Sequence, residues 1–363
     1  MSAREVIFLG TASQVPTRHR NHNALFLRWD ELGILFDPGE GTQRQLLIAG
    51  VAATQITHIC ITHFHGDHCL GLAALVQRLS LDRVPHPVEI IYPHSGQVFF
   101  ERLRYAAIYH EQATLAPRPI RPNPDDPAGE VVVATRGDVR IVARPLDHRV
   151  ETYGYRLQEA DGRRMLPEAL AARGVKGPAI KQLMNAGQLQ VDDRTVRLSD
   201  VSELRIGQSF ALVMDTRPCP GAQALAKGAD LLVCESTFLS EHAEEAHDYH
   251  HMTAAQAATL AKDAQARALV LSHFSQRYTR LDGFVAEAGA IFPGAVAAQD
   301  FTRVPVPPRL MSVAAGRRPT KDQRLQRSPC STDSNRKPGS PSRVRRARSE
   351  ERRVGKECLR LCR

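Results

Sequence analysis

Apolar residues in the first half of the chain fall in short runs that end on turn residues. Val6–Gly10, Ala24–Trp29, Ile34–Asp37, Ile56–Thr62 and Val88–Tyr92 are rich in β-branched and aromatic side chains, and each predicts a strand. From Leu70 to Leu79 the apolar spacing lengthens to that of a helix. Val131–Ala134, Val139–Ala143 and Thr152–Gln158 return to strand patterns. The second half then predicts strand Ser209–Asp215, helix Ala222–Lys227, strand Leu231–Glu235, helix Thr253–Ala264 and strand Ala268–Ser272. Strands flanked by helices imply α/β layering, with helices packed outside the sheets. Between about 158 and 204, charged residues, glycines and the Gly177-Pro178 step displace any steady period, which marks an inserted arm. Pro305, Pro307 and Pro308 close the last apolar segment.

Charge changes this picture only once it is located. The net charge of +9 over 363 residues invites a nucleic-acid reading. Residues 316–363, however, hold 16 Lys/Arg against 5 Asp/Glu, which leaves 32 against 34 before them. The body over 1–315 is therefore near neutral, and a phosphate-binding patch there must be local. The tail over 316–363 is too polar and too charged to offset the entropy of folding, so it is expected to be disordered. Its stretch Arg348–Glu357 looks like a sequencing-library adapter translated in frame, and the tail is given no functional weight.

Seven cysteines are present, none of the body's four (Cys60, Cys69, Cys219, Cys234) in a C-x-x-C pair, so neither a disulfide framework nor a thiolate zinc site is indicated. Cys60 and Cys234 lie in strand patterns and are expected to be buried and inert. No apolar run approaches the roughly 18 residues of a membrane span. Met1–Gly10 enters a strand pattern without a basic-then-apolar leader, and the expected location is the cytoplasm.

The strongest chemical signal is Thr62-His63-Phe64-His65-Gly66-Asp67-His68, which follows one predicted strand and precedes a helix. A loop at a strand end can turn alternate side chains to one point, so His63 and His65 can share one metal while Asp67 and His68 reach a second. A lone histidine is usually a satisfied polar residue, but four ligand-type side chains within six positions are hard to explain that way. A catalytic zinc site needs nitrogen and oxygen ligands and an open position, so more ligands must come from later strands. His148, Asp215 and His273 each stand at the end of a predicted strand. Singly each has a bland reading, such as surface residue or helix cap. Together they supply a third ligand to each metal and a carboxylate able to bridge both. Asp37 and Glu235 are candidates to orient ligand imidazoles, with structural capping as the competing role.

The sequence resembles ribonuclease Z of the metallo-β-lactamase superfamily from Phe8 to about Pro308. Beyond the histidine loop, the likeness rests on Phe8-Leu9-Gly10-Thr11, Arg20-Asn21, Phe36-Asp37-Pro38-Gly39-Glu40-Gly41-Thr42-Gln43, Gly154-Tyr155 and Ser272-His273-Phe274-Ser275-Gln276-Arg277-Tyr278. The resemblance implies an αββα sandwich with an inserted flexible arm, acting on precursor tRNA. It implies two zinc ions per subunit, with manganese as the alternative since the same ligands accept several divalent ions. His63, His65 and His148 would hold the first ion, Asp67, His68 and His273 the second, and Asp215 both. Asp67 would also accept a proton from the attacking water. The family's general acid falls at His251, in His251-Met252-Thr253, with His250 as the neighbouring register. Met252 replaces the usual Ser, and Met214 the usual Gly before the bridging Asp. The products would be a tRNA with a 3′-hydroxyl and a trailer with a 5′-phosphate. Within the arm, Arg173, Lys176, Gly177, Pro178 and Lys181 are expected to grip the tRNA, and a homodimer is expected. The competing readings are a small-molecule hydrolase on the same fold, which a short arm would have favoured, and a non-catalytic RNA-binding scaffold, which the intact ligand set opposes.

Overall fold

In the strand Arg4–Gly10, Val6 and Phe8 turn to one side while Ile7 and Leu9 turn to the other, and all four are fully buried. A strand covered on both faces reads as an unbroken apolar run, as this one does. The structure is a computed structural model that describes residues 4–123, 125–126 and 129–309. The expectation of a disordered tail over 316–363 falls outside these residues.

Two seven-stranded sheets form the centre. In spatial order, the first runs Arg303–Pro305, Arg4–Gly10, Ala24–Trp29, Leu32–Phe36, His58–Cys60, Val88–Pro93 and Leu115–Ile120. The second runs Val296–Ala297, Leu269–Ser272, Leu231–Glu235, Ser209–Val213, Tyr153–Glu159, Val139–Pro145 and Val131–Arg136. Each sheet is antiparallel in one half and parallel in the other. Phe8, Leu25 and Phe36 from the first meet Tyr155, Phe210 and Val233 from the second in a dry layer between them. The outer face of the first sheet is covered by helices Thr42–Ile48, Leu72–Leu81 and Gln97–Arg104. The outer face of the second carries Pro220–Ala226, Ala254–Asp263 and Asp282–Ile291. The result is the four-layer αββα sandwich. Cys60 and Cys234 are fully buried within it, as expected.

The segment between 158 and 204 needs correction. Gln158 still pairs with Ser209 in the second sheet, so the insertion begins after Glu159, between two neighbouring antiparallel strands. It is also not without regular structure. Gly162–Met165 pairs with Ser202–Arg205 as a stalk, Pro167–Ala172 and Pro178–Ala186 are helices, and Gln188–Val191 pairs with Arg194–Arg197. Leu170, Val175, Leu183, Val196 and Val201 give it a small core of its own. Elements of four to nine residues are too short to establish a period against the surrounding charge. The predicted helix Leu70–Leu79 is the helix Leu72–Leu81, with a separate short helix, Gly66–Cys69, before it. They part at Gly71, whose N–H donates to the carbonyl of Pro38 at 2.8 Å.

Candidate metal centre

The strands Val139–Pro145, Ser209–Val213 and Leu269–Ser272 run in one direction, so their C-terminal ends lie along one edge of the second sheet, where open α/β sheets bind ligands. His63 follows His58–Cys60, His148 follows Val139–Pro145, Asp215 follows Ser209–Val213 and His273 follows Leu269–Ser272. Asp37, Asp215 and His273 take left-handed backbone conformations at these ends, with φ of 47°, 42° and 64°. Such conformations cost of order 1–3 kcal/mol each in a non-glycine residue, and they cluster at sites where the surrounding packing imposes them. Gly39 allows a close backbone approach: a Cβ there would fall 2.2 Å from the carbonyl oxygen of Asp67.

All seven metal-ligand candidates converge in two sets. His63, His65, His148 and Asp215 form one, and Asp67, His68 and His273 the other. In the first, His65 Nδ1 lies 3.0 Å from His63 Nε2 and 3.3 Å from His148 Nε2. In the second, His68 Nε2 lies 3.2 Å from His273 Nε2 and 3.4 Å from Asp67 Oδ2. Asp215 divides its oxygens between them. Oδ2 is 3.7 Å from His63 Nε2, while Oδ1 is 3.4 Å from His68 Nε2 and 3.3 Å from His273 Nε2.

The hydrogen bonds behind these rings decide which nitrogen faces inward. Asp37 Oδ2 takes the Nδ1 proton of His68 at 2.9 Å, and the carbonyl of His250 takes that of His148 at 3.2 Å. Thr62 Oγ1 donates to Asp37 at 2.9 Å and so accepts from His63 Nδ1 at 3.0 Å. Thr237 Oγ1 donates to Glu235 at 2.7 Å and accepts from His273 Nδ1 at 2.9 Å. Four imidazoles are thus turned with Nε2 toward the cluster, the arrangement outer hydrogen bonds impose on metal-ligating histidines. Between nitrogens and oxygens 3.0–3.7 Å apart, spacings near the roughly 3.3 Å edge of a tetrahedron with zinc–nitrogen bonds of about 2.0–2.1 Å, a cation fits. Asp215 Oδ1 is buried and accepts no hydrogen bond among the described residues, which leaves a lone pair for that cation.

Electrostatics agree with the geometry. Burial holds His63 well below the usual imidazole range and His148 down at about 4, so both are neutral and able to give a lone pair to a metal. For His68, burial opposes the charged form, but Asp215, Asp67 and Asp37 outweigh it and push the group well up. Three carboxylates around one buried ring call for positive charge, which a bound cation would supply.

His251 and His250 have different positions. His251 packs beside His273, ring centroids 5.6 Å apart, and opens on the cleft. Its Nδ1 meets Glu235 Oε1 at 2.8 Å; burial lowers its affinity for a proton, but Glu235 outweighs this and raises it to about 9. His250 instead pairs with Asp147 at 3.0 Å. Asp37 and Glu235 thus orient imidazoles and also cap backbone, Asp37 accepting from the N–H of Thr62 at 2.7 Å and Glu235 from that of Thr216 at 2.9 Å. Met252 and Met214 are both buried in apolar clusters. Arg173, Lys176, Gly177, Pro178 and Lys181 lie together around the start of the helix Pro178–Ala186, all exposed, and none lines the cleft. Sequence reasoning missed Thr62 and Thr237 as orienting groups, for a lone hydroxyl carries no spacing signal.

The cleft over this cluster encloses about 780 Å³ and is lined by His65, Asp67, His148, Asp215 and His251 together with Ser13, His22, Phe238, Tyr249 and Arg277. Residues 17–155 match the metallo-beta-lactamase superfamily. A ribonuclease Z of Nocardia farcinica is 56% identical over 311 residues, 85% of this chain and 100% of that protein. One from Chlamydia muridarum is 50% identical over 301 residues, 83% of this chain and 97% of that protein. Among solved structures, the short form of human tRNase Z is similar with a TM-score of 0.61 at 26% identity, covering 84% of this chain and 99% of that one. YhfI of Bacillus subtilis, a metallo-beta-lactamase fold protein, shares the fold with a TM-score of 0.59 at 17% identity, over 84% of this chain and 100% of that one.

Proposed function

Since the chain belongs to the ribonuclease Z family of the metallo-β-lactamase superfamily, we propose that it is a tRNA-processing endoribonuclease that removes the 3′ trailer from precursor tRNA. The division of Asp215's two oxygens between two converging His/Asp sets carries this reading, because it suits a cluster that would hold two cations. His63, His65 and His148 would hold one ion, Asp67, His68 and His273 the other, and Asp215 both. Zinc suits this nitrogen-rich donor set, and manganese is the alternative. When bound, such a pair lowers the pKa of a shared water and neutralises charge on a phosphodiester.

The chain's own residues then position the substrate and move protons. Asp67 accepts the proton of the attacking water. His251, with Nδ1–H held by Glu235 and a second proton at Nε2, donates to the departing 3′-oxygen. The products are a tRNA with a 3′-hydroxyl and a trailer with a 5′-phosphate. A metal pair would hydrolyse many phosphodiesters, so recognition of tRNA shape and backbone falls to a separate element. The inserted arm, with Arg173, Lys176 and Lys181 around Gly177-Pro178, is that element. Family membership also supports a homodimer acting in the cytoplasm. No helix among the described residues is long and apolar enough to cross a membrane.

The test is cleavage of a 3′-extended precursor tRNA by protein ending at Arg309, beside Asp67→Ala and a chelator control. A single metal-dependent cut at the tRNA–trailer junction, lost in Asp67→Ala, is expected. Hydrolysis of a small phosphodiester with no RNA cut would overturn the substrate assignment.

A further inference from the structure

One wall of the cleft has features that neither the metal cluster nor the apolar core requires. Phe238 and Tyr249 lie within 18° of parallel, with ring centroids 6.5 Å apart. The guanidinium of Arg149 sits 5.0 Å over Tyr249 and that of Arg277 5.0 Å over Phe238. All four residues border the cleft. Phe238 is nearly buried, whereas Tyr249 is 48% exposed and belongs to none of the apolar clusters. A large ring left half in solvent at the mouth of a site offers area on which a base can stack.

Its place in the chain ties this wall to the scissile bond. The helix Ala243–Tyr249 ends at Tyr249, and His250 turns the chain with a φ of 58°. His251 then reaches the pair Asp215 and His273. Phe238 lies under it, ring centroids 6.1 Å apart. On the other side Arg149 directly follows His148 and donates to the carbonyl of Asp248 at 2.5 Å. Arg277 meets Glu245 at 3.4 Å across a pair in which both side chains are about 40% exposed. A pair so open to water holds the guanidinium weakly, which leaves it free to turn to a phosphate.

We propose that this wall is a nucleotide subsite, in which Tyr249 stacks the base of the nucleotide whose 3′-oxygen departs, while Arg149 and Arg277 neutralise the flanking phosphates. Every base has a π-face, so such a subsite holds one nucleotide in register without reading its identity. That tolerance suits an enzyme acting on many RNAs that share a shape. The proposal rests on the RNA-cleaving function above, and its test separates the two.

The experiment measures kcat/KM of wild type, Tyr249→Ala and Tyr249→Phe on two precursor tRNAs, one intact and one abasic at the nucleotide immediately 5′ of the cut. On the intact RNA, Tyr249→Ala is expected to lose roughly 5- to 100-fold, the effect of removing one base–aromatic stack. Tyr249→Phe keeps the ring and should stay near wild type. On the abasic RNA, the ratio of wild type to Tyr249→Ala should fall toward one. An equal loss on both RNAs, or none on the intact one, overturns the stacking role. A wild-type protein that cuts neither RNA overturns the processing function beneath it.

Discussion

Asp37 shows how much one side chain outside the ligand set controls. Its carboxylate takes the Nδ1 proton of His68, the hydroxyl proton of Thr62 and, at 2.7 Å, the backbone N–H of Thr62. It thereby sets the ring of one ligand and the start of the histidine loop together. Its left-handed φ of 47° is one that asparagine tolerates, so Asp37→Asn removes charge without forcing the backbone. We expect this variant to fold normally by circular dichroism and to bind metal 10- to 100-fold more weakly in competition with a chromophoric chelator, the usual loss when an outer hydrogen-bond partner is removed. Unchanged affinity would reduce Asp37 to a loop staple. This role was half legible in advance. The Asp37-Pro38-Gly39 motif marked the residue, but only the fold brings it within 2.9 Å of His68, 31 positions away.

At the scale of elements, the arm is the clearest departure from the periodic reading. Its five buried apolar residues make it a small folded unit on a two-stranded stalk, so its shape can be disturbed without touching the ligands. Leu183 is fully buried at its centre. Leu183→Ala should cost the arm about 2–5 kcal/mol, the range for such truncations in cores. Faster hydrogen exchange confined to 162–205 is expected, with a raised KM for precursor tRNA and unchanged hydrolysis of a small phosphodiester. Exchange that quickens across both sheets instead would mean that the arm is structurally continuous with the body. The first sheet hides another element the pattern did not predict. Leu115–Ile120 carries Pro117 and Pro119 and, among the described residues, pairs only with Val88–Pro93. Proline gives no ladder hydrogen bond and is tolerated at a sheet edge, so this strand is allowed by its position and unreadable from its composition.

For the whole molecule, the two ends of the described chain are joined at Glu159. Its carboxylate, almost fully buried, receives Arg4 at 2.8 Å, Arg309 at 2.8 Å and Arg205 at 3.1 Å. Burial pushes this group up, but Arg309 and Arg4 outweigh it and hold it at about 2, against 4.5 in an unfolded chain. A carboxylate depressed in this way contributes its full stability above about 4.5, and that contribution drains away as pH falls toward 2. Glu159→Gln should therefore melt below wild type at pH 7, and the gap should close steadily between pH 4.5 and 2 in calorimetric scans. A gap independent of pH would assign the effect to packing alone. The same geometry explains why the truncated protein should end at Arg309 rather than before it.

The sequence by itself determined the candidate ligand set, because four of seven ligand-type residues lie in one seven-residue loop and the other three each follow an apolar run. Local spacing and strand endings are properties of the chain. It also determined the strands buried on both faces, since burial from two sides forces continuous apolar runs that need no partner to be recognised. Only the tertiary structure decided which imidazole nitrogen faces inward, how Asp215 shares its oxygens, and which ring stands open beside His251. These depend on hydrogen bonds between residues as far apart as His148 and His250, 102 positions, and on how two sheets meet at one edge. Such contacts are set by packing in three dimensions and leave no period in the sequence.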